Sequence, residues 1–266
     1  HGSIDTLTYE QSYEGTVYDK QAFVYVPDSY SPARPVNVLY LTHGWWGNAA
    51  GLASGVAPVV DELEMAGKAA PTLVVFATYY PDRSFATDDY EDDYTLNRFF
   101  ATTEIDTLIS TVESRYTTFA RGDLSDASLR ASRRHRAFGG FSMGATTTWD
   151  VFALRPQYFY GYMPMAGESW IGREEDADEE RIGQLVTDGA LRAGYGPSDF
   201  RILASVGSED PALWDMTPQL DELYQDYPDL MTESSLQVWI DDGEDHSMTS
   251  VCNQVAHNLP LLFPHS

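Results

Sequence analysis

The sequence predicts an α/β fold: a mostly parallel central sheet with helices on both faces. Three observations carry this. Short apolar runs, rich in β-branched and aromatic residues, recur along the chain. Segments with helical periodicity separate them. No internal repeat or low-complexity linker interrupts the alternation. With 266 residues and 43% hydrophobic content, residues 1–266 suit a single domain.

The elements follow in order. His1-Gly2-Ser3 reads as a tag remnant, with no signal peptide after it. Ala22–Val26 alternates, as an antiparallel strand does. Val36–Leu41, Leu73–Ala77, Ala137–Gly139, Gly161–Met165, Ile202–Val206 and Leu236–Ile240 read as strands buried on both faces. Helices are expected over Val56–Ala66, which stops at Gly67, and over Thr103–Tyr116, where Ile105, Leu108, Ile109 and Val112 share a stripe. Four more are expected over Met143–Leu154, Glu180–Ala193, Pro211–Asp226 and Ser247–Leu262. The acidic stretch Arg173–Glu180 reads as an excursion above the sheet, and Asp88–Asp93 as a solvated loop; neither has calcium-loop spacing.

Charge excludes several functions. Sixteen Lys+Arg face 41 Asp+Glu, a net charge of −25. The lysines are Lys20 and Lys68 alone. Such a chain suits neither nucleic acid nor an anionic membrane surface. No apolar run reaches the length of a transmembrane helix. Cys252 is the one cysteine, so it can form neither an internal disulfide nor a thiolate zinc site, and it reads as a small buried hydrophobe. No metal and no cofactor is expected.

Gly140-Phe141-Ser142-Met143-Gly144 fits G-x-S-x-G. By chance about one chain in eight of this composition would contain such a match. Here the motif follows a strand candidate and opens a helix candidate, the setting in which a sharp turn exposes a nucleophilic serine. The bend places Ser142 above the carboxyl ends of the strands, where open α/β sheets bind ligands.

A serine hydroxyl needs a base, and the base needs a group to hold its tautomer. His246 lies in the loop after the last strand candidate, where a base can reach across the sheet. His1 and His265 are terminal, and His135 sits in an Arg-rich surface approach. His257 lies within the last helix, and His43 belongs to a different motif. For the orienter Asp210 is favoured, because it follows the strand Ile202–Val206. Glu209, Asp241 and Asp242 remain rivals. The order Ser142, Asp210, His246 is that of the α/β-hydrolase fold.

A tetrahedral intermediate also needs aimed N–H donors. The amide of Met143, next to the nucleophile, is one. The strand running into His43-Gly44-Trp45-Trp46-Gly47 offers the amide of Trp45 as the other, and His43 then braces the loop. Trp46, Trp170 and Trp214 fall beside motif residues and suit an aromatic acyl group. Glu168, in the same segment as Trp170, is a candidate for a substrate hydroxyl.

With these pieces in place, the chain resembles the feruloyl esterases of carbohydrate esterase family one. The likeness runs from Phe23 to Phe263. It rests on Leu41–Gly47, Arg136–Gly144, Met163–Trp170, Gly194-Tyr195-Gly196-Pro197-Ser198-Asp199-Phe200, Val206–Asp210, and His246 through Leu259-Pro260-Leu261-Leu262-Phe263. The resemblance implies the triad Ser142, Asp210, His246, an oxyanion hole from the Trp45 and Met143 amides, and no cofactor. It implies release of ferulic and related acids from feruloylated arabinoxylan fragments. Two departures touch the cleft: Ser247 and Met248 follow the histidine where aromatics are common in the family, and Trp45-Trp46 is bulkier than the usual entry.

The rivals are an acetyl xylan or other short-acyl esterase, an S-formylglutathione hydrolase, and a glycan-binding module that cleaves nothing. A secreted enzyme is expected, although a cytoplasmic one fits the same residues. Oligomeric state is left open.

Overall fold

The computed structural model describes residues 1–174 and 181–265. Eight strands form one sheet: β1 (Ser3–Tyr13), β2 (Thr16–Val26), β3 (Asn37–Thr42), β4 (Thr72–Ala77), β5 (Arg136–Phe141), β6 (Gly161–Met165), β7 (Arg201–Gly207) and β8 (Leu236–Asp241). Their spatial order is β1-β2-β4-β3-β5-β6-β7-β8. Strands β3 to β8 run parallel, and β1 and β2 pair antiparallel at one edge. This is the mostly parallel sheet that the alternation predicts.

Helices cover both faces. On one face α1 (Ala49–Met65) and α9 (Met248–Asn258) pack through Leu52, Val56, Val60, Val251 and Val255 onto Leu39, Val74 and Leu203. On the other lie α2 (Tyr94–Phe99), α3 (Ile105–Glu113), α5 (Met143–Leu154), α7 (Ile182–Arg192) and α8 (Ala212–Asp226), which bury Phe100, Leu108, Trp149, Val186 and Leu223. The short helices α4 (Asp126–Ala131) and α6 (Ile171–Glu174) complete the set. Among the described residues no helix is long and apolar enough to cross a membrane.

Several expectations are corrected. The strand expected over Ala22–Val26 begins at Thr16, and the preceding β1 was not foreseen. The two form a hairpin through Glu14 and Gly15, both at positive φ (49° and 82°), the two-residue turn that matches strand twist. β1 is an edge strand with polar residues outward, so its apolar signal is weak. The strand over Leu236–Ile240 is not buried on both faces. It is the opposite edge, the last strand of the sheet among the described residues, with Val238 and Ile240 exposed. The helix expected from Thr103 starts at Tyr94 and runs to Glu113 through a π-helical turn at Phe100–Glu104. That expected from Val56 starts at Ala49, where the Asn48 side chain accepts from the Gly51 amide at 2.7 Å. The last helix ends at Asn258, short of Leu262, and a 3₁₀ turn follows. Residues 175–180 of the acidic excursion lie outside the described residues. Beyond them α7 packs on α5, where Gly189 admits Ala153 O closer than any Cβ would allow.

Asp88–Asp93 is not merely a solvated loop. Asp93 is 1% exposed and accepts from Tyr80 Oη at 2.7 Å and Thr87 Oγ1 at 2.8 Å. Cys252 is half-buried rather than fully buried; its thiol reaches Gly55 O at 3.3 Å, and burial pushes it up.

Candidate active site

The sheet topology gathers the predicted residues. β3 lies between β4 and β5, so the chain reverses its direction of progress there, and loops diverge at the carboxyl ends. Thr42 pairs with Gly140, which sets the His43–Gly47 loop beside the turn after β5. The loops after β5, β6, β7 and β8 then follow side by side. They carry Ser142, Gly167, Asp210 and His246.

Ser142 sits at φ 60° and ψ −114°, a costly conformation for a residue with a side chain. Close backbone packing holds it there. A Cβ on Gly140 would strike Gly144, one on Gly144 would strike Thr42 O, and one on Gly167 would lie 2.5 Å from Ser142 O. Only glycine admits these approaches.

The three triad candidates meet. His246 Nε2 lies 3.1 Å from Ser142 Oγ, and His246 Nδ1 lies 2.7 Å from Asp210 Oδ2. Asp210 is 2% exposed. Its second oxygen accepts the Ala212 amide at 2.8 Å. The loops that carry the pair are stitched together. Gly243 N donates to Ser208 Oγ at 2.7 Å, and Glu209 N to Glu244 O at 2.9 Å. Ser247 caps α9, so the chain leaves the helix axis at His246. The Phe141 ring lies 4.4 Å from the imidazole and limits its tilt. The rival carboxylates are elsewhere. Asp241 binds Ser250 and Asn253 on α9, while Glu209 and Asp242 are exposed.

Met143 opens α5, where the first amides have no partner within the helix. Gly44 abuts the nucleophile; a Cβ there would lie 3.2 Å from Ser142 Cβ. The Trp45 amide follows directly. His43 is buried and is no base for Ser142. Its Nδ1 contacts Gly44 O at 2.7 Å and its Nε2 contacts Thr78 Oγ1 at 2.6 Å. Burial, first of all, holds its pKa down at about 4, so the ring is neutral.

Trp45 and Trp46 are half-exposed, and both indole N–H groups donate to Thr87 O, at 3.1 and 3.0 Å. The aromatics continue in a row: Trp45 to Tyr90 at 5.7 Å, Tyr90 to Trp170 at 5.6 Å, Trp170 to Tyr94 at 5.9 Å. Trp170 is mostly buried, its indole N–H donating to Glu168 Oε1 at 2.6 Å. One Glu168 oxygen is therefore committed within the protein, and burial raises its pKa. Trp214 is 76% exposed on the first turn of α8, shortly after Asp210.

Sequence reasoning missed Arg83, Thr87, Tyr90 and Asp93. Arg83 donates to Gly47 O at 2.6 Å and to Trp46 O, and lies over the Trp46 ring at 4.9 Å. The segment carries no motif; its one sign was Tyr90 within an acid run. A cavity of about 840 Å³ opens at the other end of the sheet, between Pro35, Phe119, His135 and Phe263. It touches none of these residues.

Residues 17–251 match the Esterase family, and the chain belongs to it. The chain is 28% identical to endo-1,4-beta-xylanase Y of Acetivibrio thermocellus over 261 residues, which is 96% of this chain and 23% of that protein. It is 26% identical to an endo-1,4-beta-xylanase/feruloyl esterase of Xylanibacter ruminicola, over 65% of this chain and 23% of that one. The chain thus spans about a quarter of the length of both curated relatives. Among solved structures, the feruloyl esterase module from Clostridium thermocellum complexed with sinapinate superposes with a TM-score of 0.82 at 27% identity. That match covers 100% of this chain and 91% of the module.

Proposed function

We propose that the chain is a feruloyl esterase that frees ferulic and related hydroxycinnamic acids from feruloylated xylan. The observation that carries this is the connected Ser142–His246–Asp210 set together with the aromatic row of half-exposed Trp45 and Tyr90 and mostly buried Trp170. Similarity to a module with sinapinate bound supports the acyl group, and two xylanase relatives support the polymer.

His246 Nε2 takes the Ser142 proton as Oγ attacks the ester carbonyl. The developing oxyanion is received by the amides of Met143 and Trp45, beside the positive end of α5. His246 returns the proton to the departing sugar hydroxyl. Water then attacks the acyl-serine by the same route and releases the acid. Asp210 holds Nδ1–H of His246 throughout. The acyl ring stacks against Trp46, Trp170 and their neighbours Trp45 and Tyr90, while Trp214 and Glu168 reach the sugar or phenol side. A polymeric substrate places the enzyme outside the cell.

The test is steady-state hydrolysis of methyl ferulate and 4-nitrophenyl acetate, with Ser142→Ala as blank. Ferulate release that depends on Ser142 and exceeds acetate release in kcat/KM is expected. Acetate release alone would replace this reading with a short-acyl esterase.

A further inference from the structure

The Trp45 amide serves an oxyanion only if the protein aims it. Behind the loop that carries it the His43 ring packs on Tyr79 and Tyr80, at 4.8 and 5.8 Å. A cavity of about 370 Å³ opens beside it, lined by Lys20, Gly47, Thr78 and Arg83 among others. Hydrogen bonds set the orientation of the loop's peptides.

The bonds converge on one peptide. Gly44 O accepts from Gly47 N at 2.9 Å and meets His43 Nδ1 at 2.7 Å. A carbonyl oxygen only accepts, so His43 Nδ1 carries the hydrogen. In a neutral ring Nε2 is then an acceptor, and its partner Thr78 Oγ1, at 2.6 Å, must donate. Thr78 can do so while the same hydroxyl oxygen accepts the Tyr80 amide at 3.2 Å. The Thr78 carbonyl is fixed in turn by Lys20 Nζ at 2.7 Å. Lys20 is buried and held by Glu104 at 2.8 Å, and Glu104 also accepts Tyr9 Oη at 2.8 Å. Burial keeps His43 neutral, and the charges of Arg83 and Lys20 act in the same direction.

Peptide planarity converts this into function. In a trans peptide the N–H of Trp45 points opposite to the C=O of Gly44. Two donors on that oxygen thus fix the direction of the Trp45 N–H, on a residue pair that abuts Ser142. We propose that His43 and Thr78 are positioning residues for the esterase reaction. The Thr78 hydroxyl sets the tautomer of His43, and His43 sets the Gly44–Trp45 peptide as an oxyanion donor. This rests on the reading of Trp45 in the oxyanion hole.

Four variants test it on 4-nitrophenyl acetate, a substrate independent of the feruloyl pocket. Thr78→Val removes the hydroxyl at constant shape, and Thr78→Ser restores it. His43→Asn keeps a donor near the Nδ1 position, and His43→Leu does not. Losing one oxyanion donor outright costs about 10²–10³ in kcat. Misaiming one should lower kcat about 10- to 100-fold in Thr78→Val, with KM and ferulate affinity little changed. Thr78→Ser should return to within about threefold of wild type, and His43→Asn should exceed His43→Leu about tenfold. Folding is checked by unfolding midpoint, and Thr78→Ser and His43→Asn guard against a general collapse. Full kcat in a folded Thr78→Val, or equal loss in His43→Asn and His43→Leu, would overturn the proposal. Wild-type turnover of 4-nitrophenyl acetate but not of methyl ferulate would instead sink the feruloyl reading and leave this one standing.

Discussion

Replacing Asp210 by Asn tests the triad most sharply, because the surroundings dictate how the amide must sit. Asp210 presents one oxygen to His246 Nδ1 and the other to the Ala212 amide. An Asn side chain has one oxygen and one NH₂. The Ala212 N–H needs an acceptor, so the oxygen goes there, and the NH₂ faces His246. The imidazole must then place its hydrogen on Nε2, against Ser142 Oγ, and the base cannot take the serine proton. The opposite flip would set NH₂ against the Ala212 N–H inside a site that is 2% exposed. The first orientation keeps both contacts at the expense of the tautomer, whereas the flip loses a buried one, so the first is favoured. Triads in other proteins lose about 10⁴ in kcat on this substitution, roughly 5.5 kcal/mol of transition-state stabilisation. The assay is methyl ferulate hydrolysis at neutral pH, with thermal unfolding alongside. The expected result is a fall of about four orders of magnitude in kcat with KM within about threefold. Asp210→Asn activity within tenfold of wild type would refute the reasoning.

Further predictions concern stability and specificity. Burial raises the Glu64 carboxyl from 4.5 to about 7, against the bonds from Thr72 and Tyr25 that lower it. The folded protein thus holds a proton that the unfolded chain gives up near 4.5. This contribution to stability is complete below pH 4.5 and is lost as pH rises through about 7. Glu64→Gln should therefore raise the unfolding midpoint at pH 8 and leave it unchanged at pH 4; equal shifts at both would disprove the assignment. Arg136 is 1% exposed and pairs with Glu113 at 2.8 Å, while Glu113 also accepts Tyr40 Oη and Thr118 Oγ1. Arg136→Met strands a buried carboxylate and should cost about 3–5 kcal/mol in urea unfolding, with partial recovery when Glu113→Gln is added. Tyr90→Ala interrupts the aromatic row and should raise KM for methyl ferulate about three- to tenfold, with 4-nitrophenyl acetate unaffected.

Much of the site was legible because its chemistry is local in sequence. The elbow is a strand, a tight turn and a helix within one segment, and glycine spacing betrays it; α5 begins and ends at the predicted residues, Met143 and Leu154. Asp210 and His246 were legible as the acidic and imidazole groups just after strands, since parallel strands bring their carboxyl ends to one side. The edges were less legible. β1 and β8 each bury one face at most, so their patterns differ from the apolar runs of β3 to β7. The start of α2 was hidden because a π-helical turn breaks the 3.6-residue period at Phe100–Glu104.

The sequence by itself determined the alternation of strands and helices and singled out a candidate nucleophile and base, because periodicity and turn chemistry act over a few residues. Only the tertiary structure decided which carboxylate faces His246. Asp241 ends β8 and Asp210 follows β7, and one turns to α9 while the other turns to the imidazole. The same holds for the loop from Arg83 to Asp93. It carries no motif, and its hold on Trp45 and Trp46 exists only once the chain brings Thr87 O within reach of both indoles. Contacts between residues some forty positions apart depend on where the sheet places the loops, and no local pattern records that.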